Sequence, residues 1–338
     1  MLTGRKRLPS PFSVAAIRCS RAAMRWACWV VAPVKMIRAV SVRICSQRYE
    51  GGNPPNCCAD TFCSEKKKAT ATASRIFISK RYATCKKYAR MQRRLTLAAM
   101  TGMLLIALAA APGLAICLYV FSRDVHNPEP KRFVVFSFLL GALLTVPAYY
   151  AEKTISGLVP RNVTGILLQA FFAIAVVEEG LKFLALRYYC FRLSSFDEPL
   201  DGIVYSIMVS MGFATVENVA YVAGHGYSVL LARTFTSVPA HACFAAIMGY
   251  YAGLAQANPS QKGPLFRRGL LRAILFHGCY DSFLLLTENR WLKQYVSEAL
   301  LLTGAVYSLY VALRLSRRLF RQHRDTSKDL HQPDKEDV

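Results

Sequence analysis

Long apolar runs dominate the chain after residue 94, and short polar runs separate them. A hydrocarbon core of about 30 Å needs about 20 helical residues to cross it. Lipid offers no partner for backbone polar groups, so each run is predicted to be a helix. The predicted spans are 95–121, 133–151, 164–190, 202–223, 228–256, 269–287 and 295–314. The predicted fold is therefore all-α, a polytopic transmembrane helical bundle of about seven spans.

Composition supports a membrane protein and sets the N-terminal segment apart. The 338 residues are 54% hydrophobic with a mean hydropathy of +0.25, too apolar for a soluble protein of this size. Residues 1–94 hold 21 of the 43 Lys and Arg against three acids, without helical or strand periodicity. We therefore predict three parts: a basic extension over 1–94 that is disordered or non-native, a transmembrane core over 95–315 and a charged cytoplasmic tail over 316–338.

The basic extension has three interpretations. It is a transit peptide, a disordered tail on anionic lipid, or sequence upstream of the true start at Met91. We favour the third because Met91-Gln-Arg-Arg directly precedes an apolar run. Its basic charge comes without any nucleic-acid-reading motif, so we expect the lipid bilayer and no nucleic acid as a partner.

The basic residues of the short loops predict an orientation. Loops on one side, together with the C-terminal tail as far as Lys328, carry 15 Lys and Arg, and those on the other side carry 4. The positive-inside rule then places the C-terminus in the cytoplasm, and seven spans place the start of the first span outside. The basic extension conflicts with that placement, so either it is absent from the mature protein or the spans number six or eight. We expect a multi-pass protein of the cell membrane, the inner membrane in a bacterium.

Four consecutive predicted spans contain ionisable or amide side chains. Charges at this depth are costly and mark functional sites by default. Each of these residues also has a structural interpretation, as an ion pair or an interhelical hydrogen bond, but a bundle that needs only packing does not require so many. The residues are Glu178, Glu179, Lys182, Glu217, Asn218, His241, His277 and Asp281. Phe213 lies one turn before Glu217 and can pack against it.

Helical spacing predicts two local contacts. Lys182 follows Glu178 by four residues and Glu179 by three, so its ammonium can neutralise one carboxylate while the other faces the bundle centre. Asp281 follows His277 by four residues, where its carboxylate can fix the tautomer of the ring.

This set of side chains suits the activation of water for amide hydrolysis. One route uses a zinc ion held by His241, His277 and Glu178, which would polarise a carbonyl group. The other uses a glutamate and a histidine without metal, with Asn218 or another donor stabilising the oxyanion. The chain has no HExxH motif, and its sequence leaves both routes open.

Three motifs resemble those of the PrsW family of intramembrane proteases, which is related to the CAAX-protease and bacteriocin-processing group. Residues 178–182 match EExxK, residues 213–217 match FxxxE and residues 277–281 match HxxxD. Residues 233–253, with a proline, a histidine and small residues, resemble that family's intervening helix. The resemblance covers about residues 97–315.

The resemblance implies a protease that cleaves a single-span membrane protein, typically an anti-sigma factor, at the first step of regulated proteolysis. Glu178 or Glu179 would be the essential acid and Lys182 its charge partner. The other site residues would be Glu217, His241, His277 and Asp281. Two alternatives remain: an ion-coupled transporter, although the chain shows no internal repeat, and an inactive scaffold, although all motif residues are present.

Overall fold

A computed structural model of the chain describes residues 72–160 and 162–331. These residues form helices, with no strand among them. A π-helical segment, Gln169–Ala175, joins the helices Val163–Leu168 and Val176–Tyr188. The α-helices are α1 (Thr72–Arg123), α2 (Lys131–Ser156), α3 (Val163–Leu168), α4 (Val176–Tyr188), α5 (Pro199–His225), α6 (Tyr227–Phe235), α7 (Ser237–Ala257), α8 (Lys262–Leu286) and α9 (Glu298–His331).

The predicted all-α membrane architecture is confirmed. Within the described residues, seven helical stretches are long and apolar enough to cross a membrane. They are Lys86–Arg123, Lys131–Ser156, Val163–Arg192, Pro199–His225, Tyr227–Ala257, Pro259–Leu286 and Glu298–His331. The chain is therefore a multi-pass membrane protein.

The chain divides into two compact units, Arg18–Leu104 and the remainder. Of the basic extension, residues 1–71 lie outside the described residues, whereas residues 72–94 are helical. No glycine or proline interrupts the sequence from residue 72 to residue 101, so the helix forms without a break there. Within this unit, the Thr96 and Thr101 hydroxyls donate to backbone carbonyls one turn earlier.

Close backbone contact brings α5 against α7 in the core of the second unit. A Cβ atom at Gly202 would collide with the backbone of Gly249 and Gly253. On the other side of α5, a Cβ atom at Gly212 would collide with the Phe138 carbonyl of α2. Such small residues let membrane helices approach closely, which fixes the depth of the side chains that α5 and α7 carry.

The fifth predicted span, 228–256, is two helices rather than one. The break between α6 and α7 lies at Thr236, whose backbone leaves the helical conformation. Pro239 explains it, because proline lacks an N–H and its ring clashes with the carbonyl four residues earlier, at Phe235. The break places His241 near the start of α7 and turns α6 so that Arg233 approaches the end of α5.

The last helix extends well beyond the predicted span. α9 continues through the region predicted as a tail and ends at His331, while residues 332–338 lie outside the described residues. Ser316, Leu319, His323 and Ser327 are buried along one face. The His323 ring donates from Nδ1 to the Pro199 carbonyl over 2.6 Å, so the end of α9 is tied to the start of α5.

Candidate active site

The ammonium group of Lys182 lies at the centre of a buried polar cluster. Its Nζ donates to Glu178 Oε2 over 3.0 Å and to Glu179 Oε1 over 2.9 Å. It also lies 3.3 Å from His241 Nδ1. The lysine therefore binds both glutamates, where the sequence predicted that it would hold only one. The flexible lysine stem reaches three and four residues back at once, so the two carboxylates converge on one ammonium group.

The π-helical segment positions the start of α4 next to α8. It ends three residues before Glu178, and such segments frequently occur at functional sites. Here the Phe171 ring lies directly against Gly278, where a Cβ atom would collide with it. The contact holds the start of α4 close to α8, so that Glu179 meets His277.

His277 lies between two carboxylates. Its Nδ1 is 2.9 Å from Glu179 Oε1, and its Nε2 is 3.3 Å from Asp281 Oδ2, the contact predicted from their spacing. Phe244 stacks on the ring at a centroid distance of 5.0 Å. The ring is therefore held in position on both edges and on one face.

His241 is oriented by Glu217. The ring Nε2 lies 2.9 Å from Glu217 Oε2, and a carboxylate can only accept, so Nε2 carries the proton. In that tautomer Nδ1 has a lone pair that accepts from Lys182. The rings of His241 and His277 are perpendicular, with centroids 5.2 Å apart.

Phe213 and Asn218 occupy supporting positions. The buried Phe213 ring lies 4.3 Å from the Lys182 ammonium and so offers it a cation–π contact. Asn218 donates from Nδ2 to the Ala109 carbonyl over 2.8 Å and accepts from Arg233 Nε over 3.2 Å. In this arrangement the Asn218 amide joins α1 and α6 to α5.

Sequence reasoning missed two charged residues near the cluster. Arg233 binds Glu217, and its position inside an apolar span was the signal that could have identified it. Glu152 lies within electrostatic range of Glu178, Glu217 and Lys182. It falls just outside the predicted second span, 133–151, so the predicted spans do not include it.

Four residues of the cluster could hold a divalent metal. Ligating atoms of Glu178, Glu179, His241 and His277 all lie within 4.8 Å of one another, and all four residues are buried. Two imidazoles and carboxylates suit zinc. Each ring also has its other nitrogen facing a carboxylate, Glu217 or Asp281, as metal-binding histidines typically do. The donor set therefore fits a metal and adds Glu179 to the three ligands that the sequence predicted.

Along α5, α7 and α8, the site residues lie closer to one face of the bundle than to the other. Glu217 is 18 residues, about 27 Å, along α5 from its start at Pro199, and His241 is near the start of α7. His277 is likewise nearer the end of α8 than its start. This face carries the connections around residues 157–162, 226 and 287–297, which are the loops with few basic residues.

Comparisons with known proteins agree with the motifs. A family described as "PrsW family intramembrane metalloprotease" matches residues 129–313. Protease PrsW of Geobacillus kaustophilus is 36% identical over 187 residues, 55% of this chain and 82% of that protein. The Bacillus subtilis protease PrsW is 34% identical over 190 residues, 56% and 85% of the two chains. That of Oceanobacillus iheyensis is 33% identical over 207 residues, 61% and 91%. No solved structure matches the chain.

Proposed function

Because the chain belongs to the PrsW family of intramembrane proteases, we propose that it hydrolyses a peptide bond of a membrane-tethered protein at the Lys182-centred cluster. The observation that carries this proposal is the convergence of buried acids and imidazoles from α4, α5, α7 and α8. The transporter alternative finds no support in this family. The proposed reaction-site residues are Glu178, Glu179, Glu217, His241, His277 and Asp281.

Glu179 is the proposed general base. Lys182 and His277 hold its Oε1, whereas its buried Oε2 finds no hydrogen-bond partner among the described residues. A desolvated carboxylate oxygen without a donor can take a proton from water. The resulting hydroxide would attack the carbonyl carbon of the scissile bond.

His277 is the proposed general acid. As the C–N bond breaks, the leaving nitrogen needs a proton, and the His277 ring can supply one. Once the ring has given up its proton, the protonated Glu179 carboxyl returns the proton taken from water to Nδ1, which lies 2.9 Å from Glu179 Oε1, and both groups are restored. Asp281 stabilises the His277 ring while the ring is positively charged, with a proton on each nitrogen.

A metal in this site would be held by Glu178, Glu179, His241 and His277. When bound, it would polarise the scissile carbonyl and acidify a bound water. Glu217 and Asp281 would orient the two imidazoles.

The proposed substrate is a single-span protein resembling an anti-sigma factor. The cluster lies near the face whose loops have few basic residues, which the positive-inside rule places outside the cytoplasm. Cleavage would then fall toward the outer end of the substrate's membrane segment, and the C-terminus of the protease would lie in the cytoplasm.

Cleavage of a tethered single-span reporter by purified full-length protein tests the proposal. Glu179→Gln removes the proposed base at constant size and should lower the cleavage rate at least about 100-fold. Glu298→Gln is the matched control, because Glu298 forms an exposed ion pair with Lys293 and should leave the rate unchanged. Equal cleavage by the two variants would refute the assignment of Glu179.

A further inference from the structure

The Lys182 ammonium lies among the atoms that could bind a metal. It lies 2.9 to 3.3 Å from Glu178, Glu179 and His241, three of the four residues able to bind a metal. A zinc ion would bind the same atoms at about 2.0–2.2 Å. Two cations sharing this buried space would repel each other strongly, since charges interact more strongly there than in water.

We propose that Lys182 is an internal cation that competes with a divalent metal for this position and thereby controls metal occupancy. This inference rests on the proposed function, because it concerns the same site. Without metal, the ammonium holds the two carboxylates together despite their mutual repulsion. A dication would balance both carboxylates, and Lys182 would have to move away.

The surroundings of Lys182 offer the displaced ammonium a second position. The side chain is 3% exposed, so a modest swing keeps the charge inside the protein. The Phe213 ring already lies 4.3 Å from Nζ, and Glu152 of α2 lies within electrostatic range. A shift of the ammonium toward Glu152 need not break its cation–π contact with this ring, because the lysine stem is flexible.

Zinc affinity, measured on purified full-length protein by competition with a chelating dye, tests this competition without any cleavage assay. Lys182→Met removes the competing charge at similar length and should tighten zinc binding at least about 10-fold. Lys293→Met, which removes an exposed ammonium, should bind zinc like the unchanged chain. Equal or weaker zinc binding by Lys182→Met would overturn the inference.

A second variant covers the case in which Lys182→Met does not fold. Lys182→Gln also removes the charge but keeps an amide that can donate to the carboxylates, so zinc binding should tighten about 10-fold, as in Lys182→Met. Unchanged affinity in that variant would contradict the proposed displacement. The reporter assay stands apart from both measurements: Glu179-dependent cleavage with no effect of Lys182 on zinc affinity would refute only the competition.

Discussion

Arg233 and Glu217 form an ion pair at the junction of α5 and α6, with Arg233 Nη2 3.0 Å from Glu217 Oε2. The same carboxylate oxygen lies 2.9 Å from His241 Nε2. The guanidinium also lies over the Tyr221 ring at 4.0 Å and donates to Asn218. Arg233 is thus fixed by three neighbours and in turn fixes Glu217, which sets the tautomer of His241.

Arg233 is expected to act as a positioning residue. Arg233→Met should lower kcat about 10- to 100-fold with little change in KM, because Glu217 loses the charge that orients it. Arg233→Lys should recover part of kcat, since an ammonium can pair with Glu217 but cannot reproduce the planar contacts to Asn218 and Tyr221. Steady-state kinetics on the reporter measure both effects.

Arg290→Met is the control for this series, because Arg290 is an exposed arginine in the connection before α9. It should keep both kinetic constants. A loss in Arg233→Met that appears only in KM, or no recovery with lysine, would argue against positioning through Glu217.

Gly278 is expected to tolerate no side chain, although it lies outside the proposed reaction-site residues. In Gly278→Ala the new Cβ would collide with the Phe171 ring, so the variant should lose about 1–3 kcal/mol of stability. Gly180→Ala is the matched control, because a Cβ there meets nothing within 4 Å and alanine favours helix. Thermal unfolding in detergent compares the two variants.

The double variant Phe171→Ala/Gly278→Ala replaces the ring by a methyl group. It should therefore relieve the collision and recover part of the lost stability. If Gly278→Ala and Gly180→Ala unfold at the same temperature, the close contact between the π-helical segment and α8 is not important for stability.

Only part of this site could be predicted from sequence. The contacts of Lys182 with its glutamates and of His277 with Asp281 lie within single helices, where spacing fixes proximity. The Glu179–His277 contact joins residues 98 positions apart and depends on how α4 packs against α8. Hydropathy revealed seven spans, but not the π-helical segment or the break at Thr236, which depend on local backbone geometry.

Buried acids at the other membrane face predict a pH-dependent stability. Asp124 accepts from the Glu129 backbone N–H, Glu129 accepts from the Tyr205 hydroxyl, and Glu198 accepts from Ser327. Burial raises the pKa of Asp124 from 3.8 to about 7, and it also raises the pKa values of Glu129 and Glu198. The nearby charges of Glu198, Glu129 and His331 act on Asp124 as smaller influences.

The folded chain therefore binds the Asp124 proton more tightly than the unfolded chain does. Its stabilising contribution is complete below about pH 4 and is lost as the pH rises through about 7. The melting temperature should fall between about pH 4 and pH 7, and Asp124→Asn, which cannot ionise, should reduce that fall. Asp325→Asn, at an exposed carboxylate, should keep the original dependence. An identical slope in Asp124→Asn would show that Asp124 does not contribute.

The proposed orientation predicts which connections a membrane-impermeant thiol reagent reaches in intact cells. Gln294 and Gln261 are both exposed, and they lie in connections at opposite ends of the bundle. With the C-terminus in the cytoplasm, Gln294→Cys should be labelled from outside and Gln261→Cys only after the cells are opened. The unsubstituted chain gives the background from the native cysteines. The reverse labelling pattern would place the cluster near the cytoplasmic face, and cleavage would then have to occur at the inner end of the substrate's membrane segment.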